Sequence, residues 1–134
     1  MNRNYSLSLI FVSFSLATSI SWACRCVPLT SEQAYKKADE VIVATVIKLE
    51  DNKNSRKKVT LEVHSSWKNK VDSLIQIYQE PSSCAFIFKT DSKYLLYLNK
   101  HGNNLYTSIC AGNEDFSSAS KKIDWINSQR SHTK

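Results

Sequence analysis

Hydrophobic residues along this chain of 134 residues follow strand-like patterns over most of its length. Residues 41–49 are β-branched and almost continuously apolar, which is typical of a strand that is buried on both faces or crosses a barrel. Residues 59–63 and 74–78 alternate between apolar and polar side chains, so each predicts a half-buried strand, the first running on toward Trp67. The polar residues 51–58 between the first two strands predict a hairpin connection.

Two further strands are predicted on either side of the clearest reverse-turn signal in the chain. Residues 94–98 form an apolar run after a turn-like segment at 90–92, and the sequence His-Gly-Asn-Asn at 101–104 then predicts a tight turn. We therefore expect residues 105–110 to return antiparallel to 94–98. The chain thus predicts five short strands.

A helix is predicted at each end of this strand region. Thr30 and Gln33 have the spacing of a capping box, which predicts a short helix over 31–38, and the apolar spacing within 119–129 predicts a closing helix. Five short antiparallel strands with two helices are typical of a mainly β fold, a small closed barrel of the oligonucleotide/oligosaccharide-binding (OB) type. A two-sheet sandwich fits the same pattern and stays open as an alternative.

Residues 1–23 have the composition of a secretory signal peptide. Arg3 supplies the positive charge, an apolar stretch follows it, and the small residue Ala23 suits cleavage before Cys24. We therefore expect a signal peptide at 1–23 and one mature domain at 24–134, secreted to the extracellular space or to a periplasm.

Two other ways of processing residues 1–23 stay open as alternatives. A retained membrane anchor needs roughly 18 uninterrupted apolar residues, whereas serines interrupt the apolar stretch here. Bacterial lipoprotein processing would acylate Cys24, but Ser21 and Trp22 do not fit the aliphatic and small residues that this signal prefers. Signal cleavage with a free amino terminus is the favoured interpretation, and it predicts no stable membrane insertion of the mature chain.

Charge and composition argue against several classes of function. The full chain has a net charge of +6, but its basic residues are scattered, with small clusters at 56–58 and 121–122, so nucleic acid is not an expected partner. The histidines at 64, 101 and 132 lie far apart, and the chain has no Ser/His/Asp signature, glycine-rich phosphate loop or His-Glu-x-x-His sequence. We therefore expect no enzymatic activity and no cofactor of its own, in a protein that acts as a monomer.

The four cysteines are Cys24, Cys26, Cys84 and Cys110, and an even number in an exported chain predicts two disulfides. A bond between Cys24 and Cys26 would close a strained ring over one residue, so each of them should pair with one of the distant two. A zinc site of four thiolates fits poorly, because Cys-x-Cys lacks the usual spacer and export favours oxidation. Both distant pairings stay open on this reasoning.

The cysteines stand within a longer pattern of motifs. In chain order these are Cys24-Arg25-Cys26-Val27-Pro28 at the predicted cleavage point, Gln-Ala-Tyr at 33–35, Ala-Asp at 38–39 leading into the strand from 41, Ser82-Ser83-Cys84-Ala85-Phe86, the strand at 94–98, the turn at Gly102 and Thr-Ser-Ile-Cys at 107–110. They cover most of the chain from Cys24 to Cys110. In this order they resemble the amino-terminal inhibitory domain of the tissue inhibitors of metalloproteinases.

The resemblance implies a netrin-like barrel that inhibits a zinc metalloprotease in trans, with disulfides from Cys24 to Cys84 and from Cys26 to Cys110. In that family the mature amino-terminal residue, here Cys24, chelates the protease's catalytic zinc through its α-amino nitrogen and carbonyl oxygen. The next side chain, here Arg25, points into the pocket for the substrate's P1′ residue. The remaining protease-contacting residues implied by the likeness are Cys26, Val27, Pro28, Ser82, Ser83, Cys84 and Ala85.

Three departures separate this chain from the animal members of the family. Arg25 stands where they have a small hydroxylated residue, and this departure predicts either a different metalloprotease target with a deep or acidic pocket or no such target. Lys36 stands where they have another cysteine, and their carboxy-terminal disulfide-rich region has no counterpart here, which predicts a reduced, one-domain version. The alternative function is a netrin-like module without inhibitory activity that binds another protein or a polyanion.

Overall fold

Six strands and two α-helices form the part of the chain that the computed structural model describes, residues 24–51 and 56–131. Their bounds, in chain order, are α1 Ser31–Lys37, β1 Glu40–Asp51, β2 Lys57–Ser66, β3 Leu74–Gln79, β4 Lys93–His101, β5 Asn104–Tyr106, β6 Glu114–Asp115 and α2 Ser120–Ser131. Short 3₁₀ turns cover Ile109–Ala111 and Phe116–Ser118. The predicted mainly β fold with a helix at each end is confirmed.

Strand β1 closes the barrel because it pairs with two neighbours. It lies antiparallel to β2 from Ile42 to Asp51 and antiparallel to β4 along its first half, and the strand order β1-β2-β3-β5-β4 returns to β1. The first half of β1 is buried on both faces, as its continuous apolar sequence predicts. The closed barrel confirms the OB-like architecture and excludes the sandwich.

Two hydrophobic clusters lie on the two faces of β1 and β4. Ile42, Ala44 and Val46 point into the barrel with Leu96 and Leu98. The alternate residues of the same strands point outward into a second cluster, where they are covered by Ala34 of α1, Ile126 of α2, and Ala38 and Ala119 beside the helix ends. Because successive side chains of a strand face opposite sides, one apolar run supplies both clusters. The second cluster fixes α1, and with it the segment that precedes α1.

The capping box at the start of α1 is confirmed. The Gln33 amide nitrogen donates to Thr30 Oγ1 over 3.2 Å, and the Thr30 amide nitrogen donates to Gln33 Oε1 over 3.0 Å. These bonds satisfy two amides that a helix start leaves without intrahelical partners. They also set the direction in which the preceding residues leave the helix.

The region after β4 differs from the predicted strand over 105–110. The turn at Gly102 is present, with φ +61°, but β5 stops at Tyr106 because Thr107 and Asn113 bind the backbone by side chain instead. Residues 109–111 form a 3₁₀ turn, not a strand. The pairing of β5 with β3 is parallel, so the prediction of a wholly antiparallel barrel is wrong at this one pair. The short β6, which pairs with β4, was not predicted.

Some expectations fall outside the described residues. These are the signal peptide or anchor at 1–23, the middle of the connection after β1, and His132. Within residues 24–51 and 56–131, neither helix has the length and apolar composition that crossing a bilayer requires.

Candidate functional site

Two disulfides bind the segment before α1 to the barrel. Cys24 is bonded to Cys84 and Cys26 to Cys110, with Cα–Cα separations of 5.1 and 5.0 Å. The structure therefore contains the pairing that the family resemblance implied. The bonds span 60 and 84 residues of sequence, so they join the start of the domain to two distant connections of the barrel.

The connection after β3 is shaped by local hydrogen bonds. The Ser82 hydroxyl accepts a bond from the Cys84 amide over 3.2 Å, and the Ser82 carbonyl accepts one from Ala85 over 3.1 Å. The Cys84 carbonyl accepts a bond from Ile109 over 2.8 Å. The last of these bonds ties the two disulfide-bearing connections to each other, in addition to the sulfur bridges.

Gln79 fixes the end of the same connection from inside the protein. Its side chain is 2% exposed, its Nε2 donates to the Phe86 carbonyl over 2.9 Å, and its Oε1 accepts from the Phe86 amide over 2.6 Å. Phe86 also packs edge-to-face on Phe88 and Tyr94, with ring centroids 4.9 and 5.5 Å away. The polar and aromatic contacts together hold residues 82–86 on the barrel.

The Cys24–Cys84 bond joins residues 24–28 to residues 82–85, and we call these two linked segments the disulfide ridge. They contain the nine residues for which the family resemblance implied protease contacts. Arg25, Cys26 and Pro28 are exposed, and Val27 is 79% exposed. An exposed arginine thus stands between two half-cystines whose positions are fixed by the barrel.

The sulfur atoms of Cys24, Cys26 and Cys110 do not form a metal site. They lie within 4.8 Å of one another, a spacing that three thiolate ligands could have. All three are oxidised in disulfides, and the described residues contain no free cysteine. Since a metal requires the thiolate form, this cluster is a covalent anchor.

Two shallow depressions flank the ridge, and Ser108 lines both. The first, of about 290 Å³, lies between the ridge and α1 and is lined by Arg25, Lys37 and Tyr97 among others; we call it the Tyr97 depression. Among the described residues that line it, two are basic and none is acidic. The second, of about 410 Å³, has the ion pair Arg56–Glu80 at its edge, with 3.2 Å between Nε and Oε1. The positive potential of this surface is therefore concentrated on the Arg25 side.

Tyr97 gives the Tyr97 depression a rigid wall. The residue is 1% exposed, and burial, with a smaller effect of the Glu114 carboxylate, raises the pKa of its hydroxyl to about 12. Gly112 packs against the Tyr97 ring with φ +99°, and a Cβ there would lie 3.1 Å from Ala34 Cβ. This close approach brings the turn that carries Cys110 against α1.

Gln79 and Gly112 support the ridge, yet no sequence pattern indicated either role. Gln79 lies on the same face of its strand as the inward-facing Ile75 and Ile77, and its hydrogen bonds join it to a connection seven residues away. Gly112 is the left-handed cap of the 3₁₀ turn Ile109–Ala111, which overlaps the end of the strand predicted over 105–110. A scan against models of protein families found no match to this chain, and a search of curated proteins returned none either.

Proposed function

We propose that the mature protein is a secreted inhibitor of a zinc metalloendopeptidase, with Cys24 as its amino-terminal residue. The observation that carries the proposal is the disulfide ridge, on which two barrel-anchored half-cystines flank the exposed Arg25. The motif resemblance to the tissue inhibitors of metalloproteinases supplies the role. Two disulfides also fit an oxidising compartment outside the cytosol.

The chemistry of inhibition uses the backbone of Cys24. Catalytic zinc in peptidases commonly has three protein ligands and a water, so a donor that displaces the water can occupy the open position. An α-amino nitrogen and the carbonyl oxygen of the same residue form a chelate of the peptidase's zinc. The amine has a reference pKa of about 7.7–8.0 and must lose a proton to bind, so inhibition should weaken as the pH falls below neutral.

Anchoring lowers the ordering cost of binding. Fixing one residue's backbone costs about 1–2 kcal/mol. Holding Cys24, Arg25 and Cys26 in place before the encounter therefore spares roughly 3–6 kcal/mol of the binding free energy. The same anchoring keeps the segment from behaving as a mobile, cleavable peptide substrate.

Arg25 restricts which peptidase fits. Its side chain is exposed and lies beside the Tyr97 depression, where Lys37 adds a second positive charge. Inserting a guanidinium into a dry apolar pocket without a partner is costly. The proposed target therefore carries a carboxylate, or an open and hydrated pocket, at the site for the residue after the scissile bond.

The test compares amino termini. The mature protein beginning at Cys24 is assayed against a panel of zinc metallopeptidases beside a form with one alanine added before Cys24 and a control form with one alanine added after Lys134. We expect inhibition by the mature and control forms, and at least a 100-fold loss for the amino-terminal extension. Equal inhibition by all three forms refutes chelation. If none of the three forms inhibits any peptidase, the inhibitor proposal is rejected in favour of a netrin-like module that binds another protein or a polyanion.

A further inference from the structure

A second surface feature lies away from the disulfide ridge, between α2 and the barrel. It is a groove of about 280 Å³ that we call the α2 groove, and its lining includes His64, Trp67, Lys93, Phe116, Ile123 and Arg130. None of its lining residues lines either depression beside the ridge. The α2 groove is therefore a separate site.

Aromatic rings hold two cations at this groove. Lys93 Nζ lies 4.7 Å from the centroid of the Phe116 ring, and the Arg130 guanidinium carbon lies 5.9 Å from that of Trp67. Arg130 also donates a hydrogen bond to the Ser66 carbonyl. A cation over a ring face is attracted by the ring's quadrupole, so both charges are positioned before any ligand arrives.

The Trp67 ring that carries Arg130 is itself fixed. Its Nε1 donates to Asn127 Oδ1 on α2 over 2.9 Å. Trp67 also packs against the hydrophobic cluster beneath the helices. The arginine therefore lies over a ring that is bound at its edge and packed against the core, which limits the ordering cost of using it for binding.

The positive charge of the groove is not neutralised locally. In the described part of the chain, ion pairs engage Lys36, Lys48, Lys58, Lys100, Lys122 and Arg56, and none engages Lys93 or Arg130. No carboxylate belongs to the described lining of the groove. His64 contributes a ring whose Nε2 lies 2.8 Å from Thr45 Oγ1. An anion entering the groove would therefore meet two cations without a competing acid.

The floor of the groove is apolar. Ile123 is half-buried, and Val43 is 4% exposed at its base. A ligand that suits both the floor and the cations has a charged head and a compact apolar body. A volume of about 280 Å³ is sufficient for one such group.

We propose that the α2 groove binds a small phosphate or sulfate monoester. Its tetrahedral oxyanion accepts hydrogen bonds from Arg130 and Lys93, a type of charge-assisted bond for which arginine's fork of donors is suited. Its ring-sized body packs on Ile123. The proposal stands independently of protease inhibition, since it uses other residues on another surface.

The probe is phenyl phosphate, titrated into the ¹⁵N-labelled mature protein at low salt and followed by amide and indole chemical shifts. We expect saturable shifts at the Trp67 indole and along α2, tighter binding than with inorganic phosphate, and no saturation with benzyl alcohol. Arg130→Gln and Lys93→Gln should each weaken binding about 3- to 10-fold. The matched control is Lys121→Gln, which removes the same charge from an exposed position of α2 that does not line the groove; it should change binding less than 2-fold.

Several results would overturn the proposal. If Lys121→Gln and Arg130→Gln weakened the binding of phenyl phosphate equally, the loss would come from the protein's net charge and not from the groove. If benzyl alcohol bound with the same affinity as phenyl phosphate, the oxyanion would make no contribution to binding. This comparison uses the wild-type protein, so it does not depend on whether the variants fold. Binding to anionic phospholipid vesicles or to a sulfated glycan, without binding to phenyl phosphate, would assign the surface to a macromolecule instead.

Discussion

Replacing Tyr97 by phenylalanine tests the account of the wall behind the disulfide ridge. The Tyr97 hydroxyl is buried and has no hydrogen-bond partner within the described chain. A buried polar group left unpaired costs about 1–3 kcal/mol, so removing it should leave the protein at least as stable at pH 7 and up to about 2 kcal/mol more stable. The ring's contacts with α1 and Gly112 are retained.

The raised pKa of Tyr97 also predicts how the stability of the wild type changes with pH. Burial raises the pKa of Tyr97 to about 12, from the usual tyrosine value of 10.0. The unfolded chain therefore ionises first as the pH rises, and the wild type loses stability between pH 10 and 12, whereas below pH 10 both states are protonated and nothing is lost. One pH unit corresponds to about 1.4 kcal/mol, so by pH 11 the loss from this residue should be about 1.4 kcal/mol.

The assay is urea unfolding at pH 8, 10 and 11, followed by tryptophan fluorescence, for the wild type and Tyr97→Phe. A Tyr78→Phe variant, which removes the hydroxyl of a half-buried ring, supplies the background of alkaline destabilisation. We expect the advantage of Tyr97→Phe over the wild type to grow by about 1.4 kcal/mol from pH 8 to 11. If the two curves fall in parallel, the hydroxyl is solvated or bonded, and the reasoning about this wall is wrong.

Three other changes test the supports of the ridge. Replacing Cys26 and Cys110 together by serine should lower the unfolding free energy by about 3–4 kcal/mol, because the retained Cys24–Cys84 bond shortens the loop that this bridge closes to about 28 residues. A loss under 1 kcal/mol in urea unfolding would contradict this. Gln79→Leu leaves the Phe86 amide and carbonyl unpaired, so it should lower the unfolding free energy by about 2–4 kcal/mol and speed hydrogen exchange at 82–86. If the exposed control Gln76→Leu gave similar results, Gln79 would have no specific role in holding this connection. Gly112→Ala places a Cβ near α1 at a positive φ and should lower the unfolding free energy by about 1–3 kcal/mol, so an unchanged thermal midpoint would argue against the close approach.

Much of the barrel was predictable because its strands have distinct burial. β1 has one face inside the barrel and one under the helices, so its apolar run is continuous, while β2 alternates. The capping box was readable because it is a contact over three residues. The parallel pairing of β3 with β5 was not predictable from the sequence, because it depends on where two strands distant in sequence meet after the barrel closes.

The candidate site was predictable in part for a similar reason. The motif around Cys24 and the cysteine count indicated the ridge, and the resemblance implied its pairing. Alternation places Gln79 on the buried face with Ile75 and Ile77, but its role was not predicted because the Phe86 backbone groups that it binds lie on a connection whose course no sequence pattern indicates. The α2 groove escaped because its cations are far apart in sequence, at 93 and 130, and such charges are ordinarily solvated.

The most direct measurement of the central claim is the visible absorption spectrum of a target peptidase whose catalytic zinc is replaced by cobalt(II). The peptidase most strongly inhibited in the panel is titrated with the mature protein and with the form carrying an alanine before Cys24. We predict a change in the cobalt bands with the mature protein, as nitrogen and oxygen from Cys24 replace water, and none with the extended form. Full inhibition by the mature protein with an unchanged cobalt spectrum would contradict zinc chelation.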